Sequence, residues 1–409
     1  MTLGIEERSG EEARVGADRP AVALVNRMLV EACRRGASDI HIEPYETELA
    51  VRFRVDGLLS DFDSLPLRVR ESVASRVKIL AKLDIAERRL PQGGRIRIRV
   101  QLDGEARDLD FRVSCLPTVW GEKIVLRLLD QARLMLDLTE LGFEPPSLAR
   151  FESAIARPYG IVLVTGPTGS GKTNTLYSAL AALNRRDTNI MTAEDPVECN
   201  LRGVNQVQIR EQVGLNFAAA LRSFLRQDPN TILVGEIRDY ETAEIAVKAA
   251  LTGHLVLSTL HTNDAPSTVS RLVNMGIEPF LVGTAVHLVQ AQRLVRRICA
   301  GCKADVTKDS HARSLIAAGF AAEELPELRL CRGLGCAACG GSGYKGRVGL
   351  YETLEMSERI RDLVMIGATP IEICRAALEE GMLTLRMSGL EKIRRGITSL
   401  EEVLRETVR

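Results

Sequence analysis

Apolar positions recur along this chain with two different periods, and the places where the period changes divide it. After Pro20 the run AVALVNRMLVEACRRGAS repeats its apolar residues at helical spacing, and Gly36 and Ser38 read as its stop. Leu49, Val51, Phe53 and Val55 then alternate with Arg52 and Arg54, the period of a strand with one buried face. RIRIRV (Arg95 to Val100) repeats the arrangement, and LDFRVSCL and KIVLRLL predict further strands. Residues 20–130 thus read as an α+β domain. Ahead of it, 1–19 are polar and aperiodic and predict a disordered tail. Behind it, 131–147, with Gly142 and the pair Pro145-Pro146, read as a linker.

From residue 148 to 409 the pattern is different. Short apolar runs at Ile161 to Thr165, Ile232 to Gly235 and Leu255 to Ser258 alternate with helical segments, which predicts a mostly parallel sheet with helices on both faces. Within this α/β region, 296–347 dissolve into glycine and cysteine, and 352–409 read as mostly helical. No tandem repeat of the solenoid kind is present.

Composition narrows the class without naming it. A chain of 409 residues with 45% hydrophobic content can bury a large core in two or three domains. No apolar run approaches the length that spans a bilayer, and the start MTLGIEERSGEEARVGADRP is too charged for a signal peptide, so a cytoplasmic protein is expected. Lys+Arg and Asp+Glu are equal at 54 each, so no global charge recommends nucleic acid. Leu67 to Val100 holds ten Lys/Arg against three Asp/Glu, a local excess that suits a solvated face, a neighbouring subunit, nucleotide or nucleic acid. With one Trp, six Tyr and nine Phe and none clustered there, a nucleic-acid stacking surface is the weaker reading.

The sharpest chemical signal is LVTGPTGSGKTNTLYSAL, beginning at Leu163. An apolar strand runs into a glycine-rich turn and then a helix opening near Lys172. Gly166, Gly169 and Gly171 let backbone amides turn toward one point, and the helix start adds partial positive charge there. Pro167, Thr168, Ser170 and Asn174 complete the loop and first turn. In this pattern Lys172 reaches the β- and γ-phosphates of a nucleotide and Thr173 ligates Mg²⁺.

Such a loop needs a carboxylate for the metal's water shell and a group that aims the attacking water. TILVGEIRD ends an apolar strand at Glu236, at the sheet edge beside the loop, although a glutamate at a strand end is also an ordinary surface group. TAEDPVE crowds Glu194 to Glu198 around Pro196, either as a water-aiming site or as a solvated acidic turn. LTGHLVLSTLHT sets His254 and His261 around another strand, where an imidazole senses a phosphate or merely packs. LRSFLRQDP puts Arg222 and Arg226 at i and i+4 on a predicted helix, as trans-acting arginine fingers or as surface ion pairs. Cys299-x-x-Cys302 and Cys336-x-x-Cys339 have the spacing of a structural zinc site, with Cys331 as a competing ligand.

GASDIHIEP, RLPQGGRI, RVSCLPTVWGEKIVLRLL, GPTGSGKT, AEDPVE, LRSFLRQDPNTILVGEIRD and ALTGHLVLSTLHTNDAP follow one another between Ala21 and Arg409. Together they resemble the secretion ATPase superfamily, which powers type II secretion, type IV pili and related machines, and look most like the type IV pilus extension ATPases. The resemblance implies a RecA-like P-loop core preceded by a smaller PAS-like α+β domain, with a zinc-knuckle insertion and a helical C-terminus. It implies a homohexamer binding ATP, Mg²⁺ and Zn²⁺, acting on an inner-membrane platform protein and reaching the membrane only through partners. It further implies that Lys172 and Thr173 are the phosphate-loop residues, Glu194 positions water, Glu236 is the second carboxylate, and His261 with His254 lies near the γ-phosphate. Arg95, Arg112, Arg222 and Arg226 match arginines that the family turns toward nucleotide. Where fuller members carry a further N-terminal domain, only residues 1–20 precede the shared region here, and Cys199 and Asn174 depart from the usual residues. A nucleic-acid module and a nucleotide-gated scaffold without turnover are the alternatives.

Overall fold

A computed structural model of the chain describes residues 5–7, 19–102, 105–129, 137–307 and 312–407. It divides into two compact units, Met1–Arg133 and Leu134–Arg409.

The first unit contains β1 (Ile5–Glu7), α1 (Arg19–Arg34), β2 (Ala37–Pro44), β3 (Leu49–Val55), β4 (Leu58–Leu65), α2 (Arg70–Leu80), β5 (Gln92–Leu102), β6 (Glu105–Thr118) and β7 (Gly121–Leu129). Its seven strands form one antiparallel sheet in the order β1-β5-β6-β7-β2-β3-β4. Val25, Met28, Leu29 and Ala32 form a stripe at helical spacing on α1. With Val73 and Val77 of α2, they are buried with the alternate residues Ile40, Val51, Phe53, Ile96, Phe111 and Leu126 of the sheet. The other sheet face carries the charges. Within the predicted tail, Ile5–Glu7 is a strand on the edge of β5, where unpaired backbone groups were available to it. Residues 1–4 and 8–18 of that tail lie outside the described residues.

The second unit begins inside the predicted linker, of which 131–136 lie outside the described residues. Pro145 and Pro146 do not break the chain there. They open α3 (Pro145–Ile155), since proline's missing N–H is harmless in a helix's first turn. Then follow β8 (Gly160–Thr165), α4 (Lys172–Leu183), β9 (Ile190–Glu194), β10 (Val204–Gln208), α5 (Phe217–Phe224), β11 (Thr231–Val234), α6 (Tyr240–Leu251), β12 (Leu255–Leu260), α7 (Ala265–Asn274), α8 (Pro279–Ala285) and β13 (Val286–Ile298). β14 (Lys303–Asp305), α9 (Ala312–Ala318), β15 (Cys331–Gly333) and β16 (Tyr344–Glu355) lead to α10 (Glu358–Met365), α11 (Pro370–Glu379), α12 (Leu385–Arg394) and α13 (Leu400–Glu406).

The sheet order is β10-β9-β11-β12-β8-β13-β16. All neighbours are parallel except the edge pair β13 and β16. β16 corrects the expectation of a helical region from residue 352: Glu352 to Glu355 finish a strand registered on Leu288 to Ala291. Helices α5, α6, α7, α8, α10 and α11 contribute to the core on one face, while α3 and α4 pack against Val162, Val164 and Leu288 on the other. In a parallel sheet with both faces covered, side chains that must meet polar ligands are left to the strand ends. A buried ion pair joins distant segments of this unit, with Lys392 on α12 donating to the Glu144 carboxylate at the start of α3. Among the described residues, no helix is long and apolar enough to cross a membrane.

Candidate functional site

Because β8, β9, β11 and β12 run parallel, their carboxyl ends share one edge of the sheet. That edge collects the phosphate loop after Thr165, Glu194 as the last residue of β9, Glu236 two residues beyond β11, and His261 directly after β12.

The loop needs its glycines in particular places. Gly166 has φ of 144°, and a Cβ there would lie 2.5 Å from the carbonyl of Gln292. Gly171, at φ of 90°, occupies the cap position before α4. Gln292 on β13 braces the loop from the side, donating to the Ser170 carbonyl at 2.7 Å and accepting from Thr175 Oγ1 at 2.9 Å. Pro167, Thr168, Gly169 and Thr173 are exposed, and Asn174 is half-buried. Lys172 donates to the carbonyls of Gly166 at 2.7 Å and Pro167 at 3.1 Å. Burial pushes its ammonium down to about 8, against the opposing pull of the Glu236 charge. A tight backbone turn opening onto a helix start, with an ammonium folded over it, fits a polyphosphate. An exposed Thr173 hydroxyl in the first turn fits the Mg²⁺ that accompanies one.

Glu236 is held between a guanidinium and an imidazole. Arg238 lies 2.5 Å from one carboxylate oxygen and His261 Nε2 is 3.4 Å from the other. Thr165 ties the loop strand to the histidine strand, its hydroxyl accepting from the Thr262 amide at 2.9 Å. Arg293, from β13 on the far side of β8, reaches Asn263 Oδ1 at 3.1 Å in the loop beyond His261.

Three expected positions differ. Glu194 does not face solvent: it is 4% exposed, and its carboxylate accepts from Tyr177, Thr192 and Gln206. The exposed carboxylate of that turn is Asp195. His254 stands at the opposite, amino end of β12, where its Nδ1 lies 2.9 Å from the carbonyl of Ala249 and its own carbonyl accepts from Gly160. The in-register pairing of β12 with β8 therefore separates it from His261 and the phosphate loop by a strand length. Arg226 lies beyond the last residue of α5, so it and Arg222 are not both on the helix. Its neighbours Gln227 and Asp228 hold Asn189 at the amino end of β9, away from this chain's own phosphate loop, and Arg222 pairs with Glu241.

In the first unit, Arg95 and Arg112 lie directly opposite each other on β5 and β6, both exposed, with no ion-pair partner among the described residues. Like charges so placed repel, which favours an anion between them. Part of the surrounding basic run is neutralised by acids outside it: Arg97 by Asp110, Arg99 by Asp108 and Lys78 by Glu122. That leaves less free charge for nucleic acid than the sequence count suggests.

Cys299, Cys302, Cys336 and Cys339 converge, with all four sulfurs within 4.8 Å of one another. Three of the separations are 3.8, 3.9 and 3.8 Å. Tetrahedral Zn–S bonds of about 2.3 Å place sulfurs about 3.8 Å apart, so the set fits zinc. The Cys336 amide donates to Cys339 Sγ, which holds that thiol well below the usual range. Cys331 is outside the cluster.

Tyr177, Gln206, Gln292, Arg238 and Arg293 also belong to the site, and no spacing in the sequence singles them out. Gln206, Gln292 and Arg293 enter from β10 and β13, outside every motif, whereas Tyr177 and Arg238 stand within the phosphate-loop and TILVGEIRD stretches.

Fold and site together define a phosphate-loop ATPase. The chain belongs to the family described as Type II/IV secretion system protein, whose profile matches residues 15–405. It is 55% identical over 401 residues to the "Type IV pilus assembly ATPase PilB" of Myxococcus xanthus, covering 98% of this chain and 70% of that one. It is 49% identical over 390 residues to the "Type II secretion system protein E" of Klebsiella pneumoniae, covering 95% and 76%. Among solved structures, the Legionella pneumophila ATPase DotB superimposes with a TM-score of 0.66 at 23% identity, covering 96% of each chain, a likeness of fold. The pilus retraction motor PilT with bound ADP does so at 0.59 and 25% identity, covering 94% and 96%.

Proposed function

We propose that the chain is the subunit of a homohexameric motor that hydrolyses ATP to assemble type IV pilus filaments, acting at the cytoplasmic face of the inner membrane on a platform protein. The observation that carries this is the gathering of the phosphate loop, Glu194, Glu236 and His261 at one sheet edge, in a chain 55% identical to a pilus assembly ATPase. The near-equal identity to a type II secretion protein favours pseudopilus assembly as the second reading.

In this reading the loop amides and Lys172 hold the phosphates. Thr173 and Glu236 hold the Mg²⁺ shell, whose charge offsets that of the phosphates. Glu194 orients the attacking water, and His261, beside Glu236, meets the γ-phosphate. Arg95, Arg112, Arg222 and Arg226 serve nucleotide held with a neighbouring subunit, Arg226 because it lies away from its own chain's loop. Zinc on the four cysteines closes the knuckle between β13 and β16, a structural role since four thiolates leave no open position.

Phosphate release from Mg-ATP, measured beside sedimentation, tests the reading. Turnover should rise with ring formation, vanish in Lys172→Ala and fall to a small residual rate in Glu194→Gln. Intact turnover in Lys172→Ala would falsify it. Loss of surface pili rather than of secreted protein in a strain lacking the gene separates the two machines.

A further inference from the structure

Tyr177 lies four residues past Thr173 on α4, one turn into the helix that begins at the phosphate loop. It is buried, 1% exposed. Its hydroxyl donates to Glu194 Oε2 and accepts the Glu198 amide at 3.3 Å, so one phenol oxygen engages both ends of the AEDPVE turn. The other carboxylate oxygen accepts from Thr192 Oγ1 at 2.5 Å and from Gln206 Nε2 at 3.1 Å. Burial and the Glu194 charge push the phenol far up, which keeps its proton in place as a donor.

Glu194 ends a strand and carries a side chain with several rotatable bonds. A buried carboxylate in that position keeps one orientation only if neighbours define it, and a reacting group must be held to within about 0.5 Å. Thr192 and Gln206 belong to β9 and β10, so they fix the carboxylate to the sheet. Tyr177 alone of these three donors fixes it to the helix whose first turn carries Lys172 and Thr173.

We infer that Tyr177 is a positioning residue for Glu194, coupling the orientation of that carboxylate to helix α4 and hence to the phosphates at its start. The inference rests on the role proposed for Glu194 above. A shift of α4 on nucleotide binding is then transmitted to the carboxylate through one hydroxyl.

Tyr177→Phe keeps the ring and its packing and removes the hydroxyl. Steady-state phosphate release should show kcat lowered about ten- to a hundredfold, the effect of losing a hydrogen bond to a charged group. KM and the affinity for a fluorescent non-hydrolysable ATP analogue should stay within about threefold, since no phosphate contact is removed. In the Glu194→Gln background, Tyr177→Phe should add no further loss. Wild-type kcat in Tyr177→Phe overturns the inference. So does a rise in kcat, which makes the hydroxyl a restraint on Glu194, or an additive loss in the double variant. If Tyr177→Phe melts below assay temperature, 3-fluorotyrosine in place of Tyr177 retains the hydroxyl and alters its acidity. It should then change kcat and not KM, and an unchanged kcat overturns the inference. Wild-type turnover in Glu194→Gln overturns the role of Glu194 itself. A severely slowed Glu194→Gln beside a wild-type Tyr177→Phe overturns only the coupling.

Discussion

His254 and His261 bracket a single strand, one at the amino end of β12 and one just past its carboxyl end. Six extended residues put roughly 20 Å between them, so they cannot serve the same phosphate. We expect His261→Ala to lower turnover about tenfold or more, as loss of a charge-assisted hydrogen bond does. His254→Ala should leave turnover near wild type and lower stability by about 1 kcal/mol through the lost contact at the end of α6. Phosphate release and thermal melts of the two variants check this, and the opposite pattern would return His254 to the nucleotide.

Lys172 carries a proton-linked signature. Burial lowers its ammonium to about 8, and phosphate oxygens placed against it favour the charged form. At pH 8 nucleotide binding should therefore take up about half a proton, and at pH 6.5 almost none. Calorimetry of ADP binding in two buffers of different ionisation enthalpy reads the uptake directly. Equal values at the two pH settings would contradict the assignment.

The four converging sulfurs predict one zinc per chain. Metal analysis should find it in wild type and in Cys331→Ser, and lose it in Cys336→Ser. A strong chelator should lower the melting temperature of wild type, because the binding energy of a structural zinc is folding energy. Retention of metal by Cys336→Ser, or its loss from Cys331→Ser, would redraw the ligand set.

Glu352 on β16 accepts the Ala265 amide at 2.8 Å and the Leu385 amide at 3.2 Å, capping the first turns of α7 and α12 together. Burial raises its carboxyl from 4.5 to about 7. The folded chain thus holds this proton more tightly than the unfolded chain. Its contribution to stability falls as pH rises from 4.5 to 7 and changes no further above that, by at most about 3 kcal/mol. Denaturant titrations at pH 5 and pH 8 should show a smaller difference for Glu352→Gln than for wild type. Parallel behaviour of the two proteins would place the titration elsewhere.

What the chain alone made legible follows how local each feature is. GPTGSGKT is a strand, a turn and a helix start joined end to end, so its geometry is encoded within a dozen residues, and β8 and α4 stand where the pattern predicts them. The alternation at Leu49 to Val55 likewise specifies its own buried face. Glu352 to Glu355, the end of β16, fell in the stretch read as helical because their partners Leu288 to Ala291 on β13 are some sixty residues earlier and supply the backbone hydrogen bonds that make them a strand. The proline pair at Pro145 carries the same letters in a linker and in a helix's first turn.

The sequence by itself determined which residue types stand where: a glycine-rich loop of phosphate-binding pattern, carboxylates and an imidazole following neighbouring strands, and two cysteine pairs spaced for a metal. These depend on residue type and on spacing along the backbone, which the chain states directly. Only the tertiary structure decided which of them meet. The parallel sheet brought Glu236 and His261 to one edge and sent His254 to the other. Packing of α4 on the sheet buried Glu194 under Tyr177, and convergence of the knuckle chose four sulfurs and left Cys331 out. Those outcomes turn on strand direction and on contacts between residues far apart in the chain, and no local pattern of side chains carries that information.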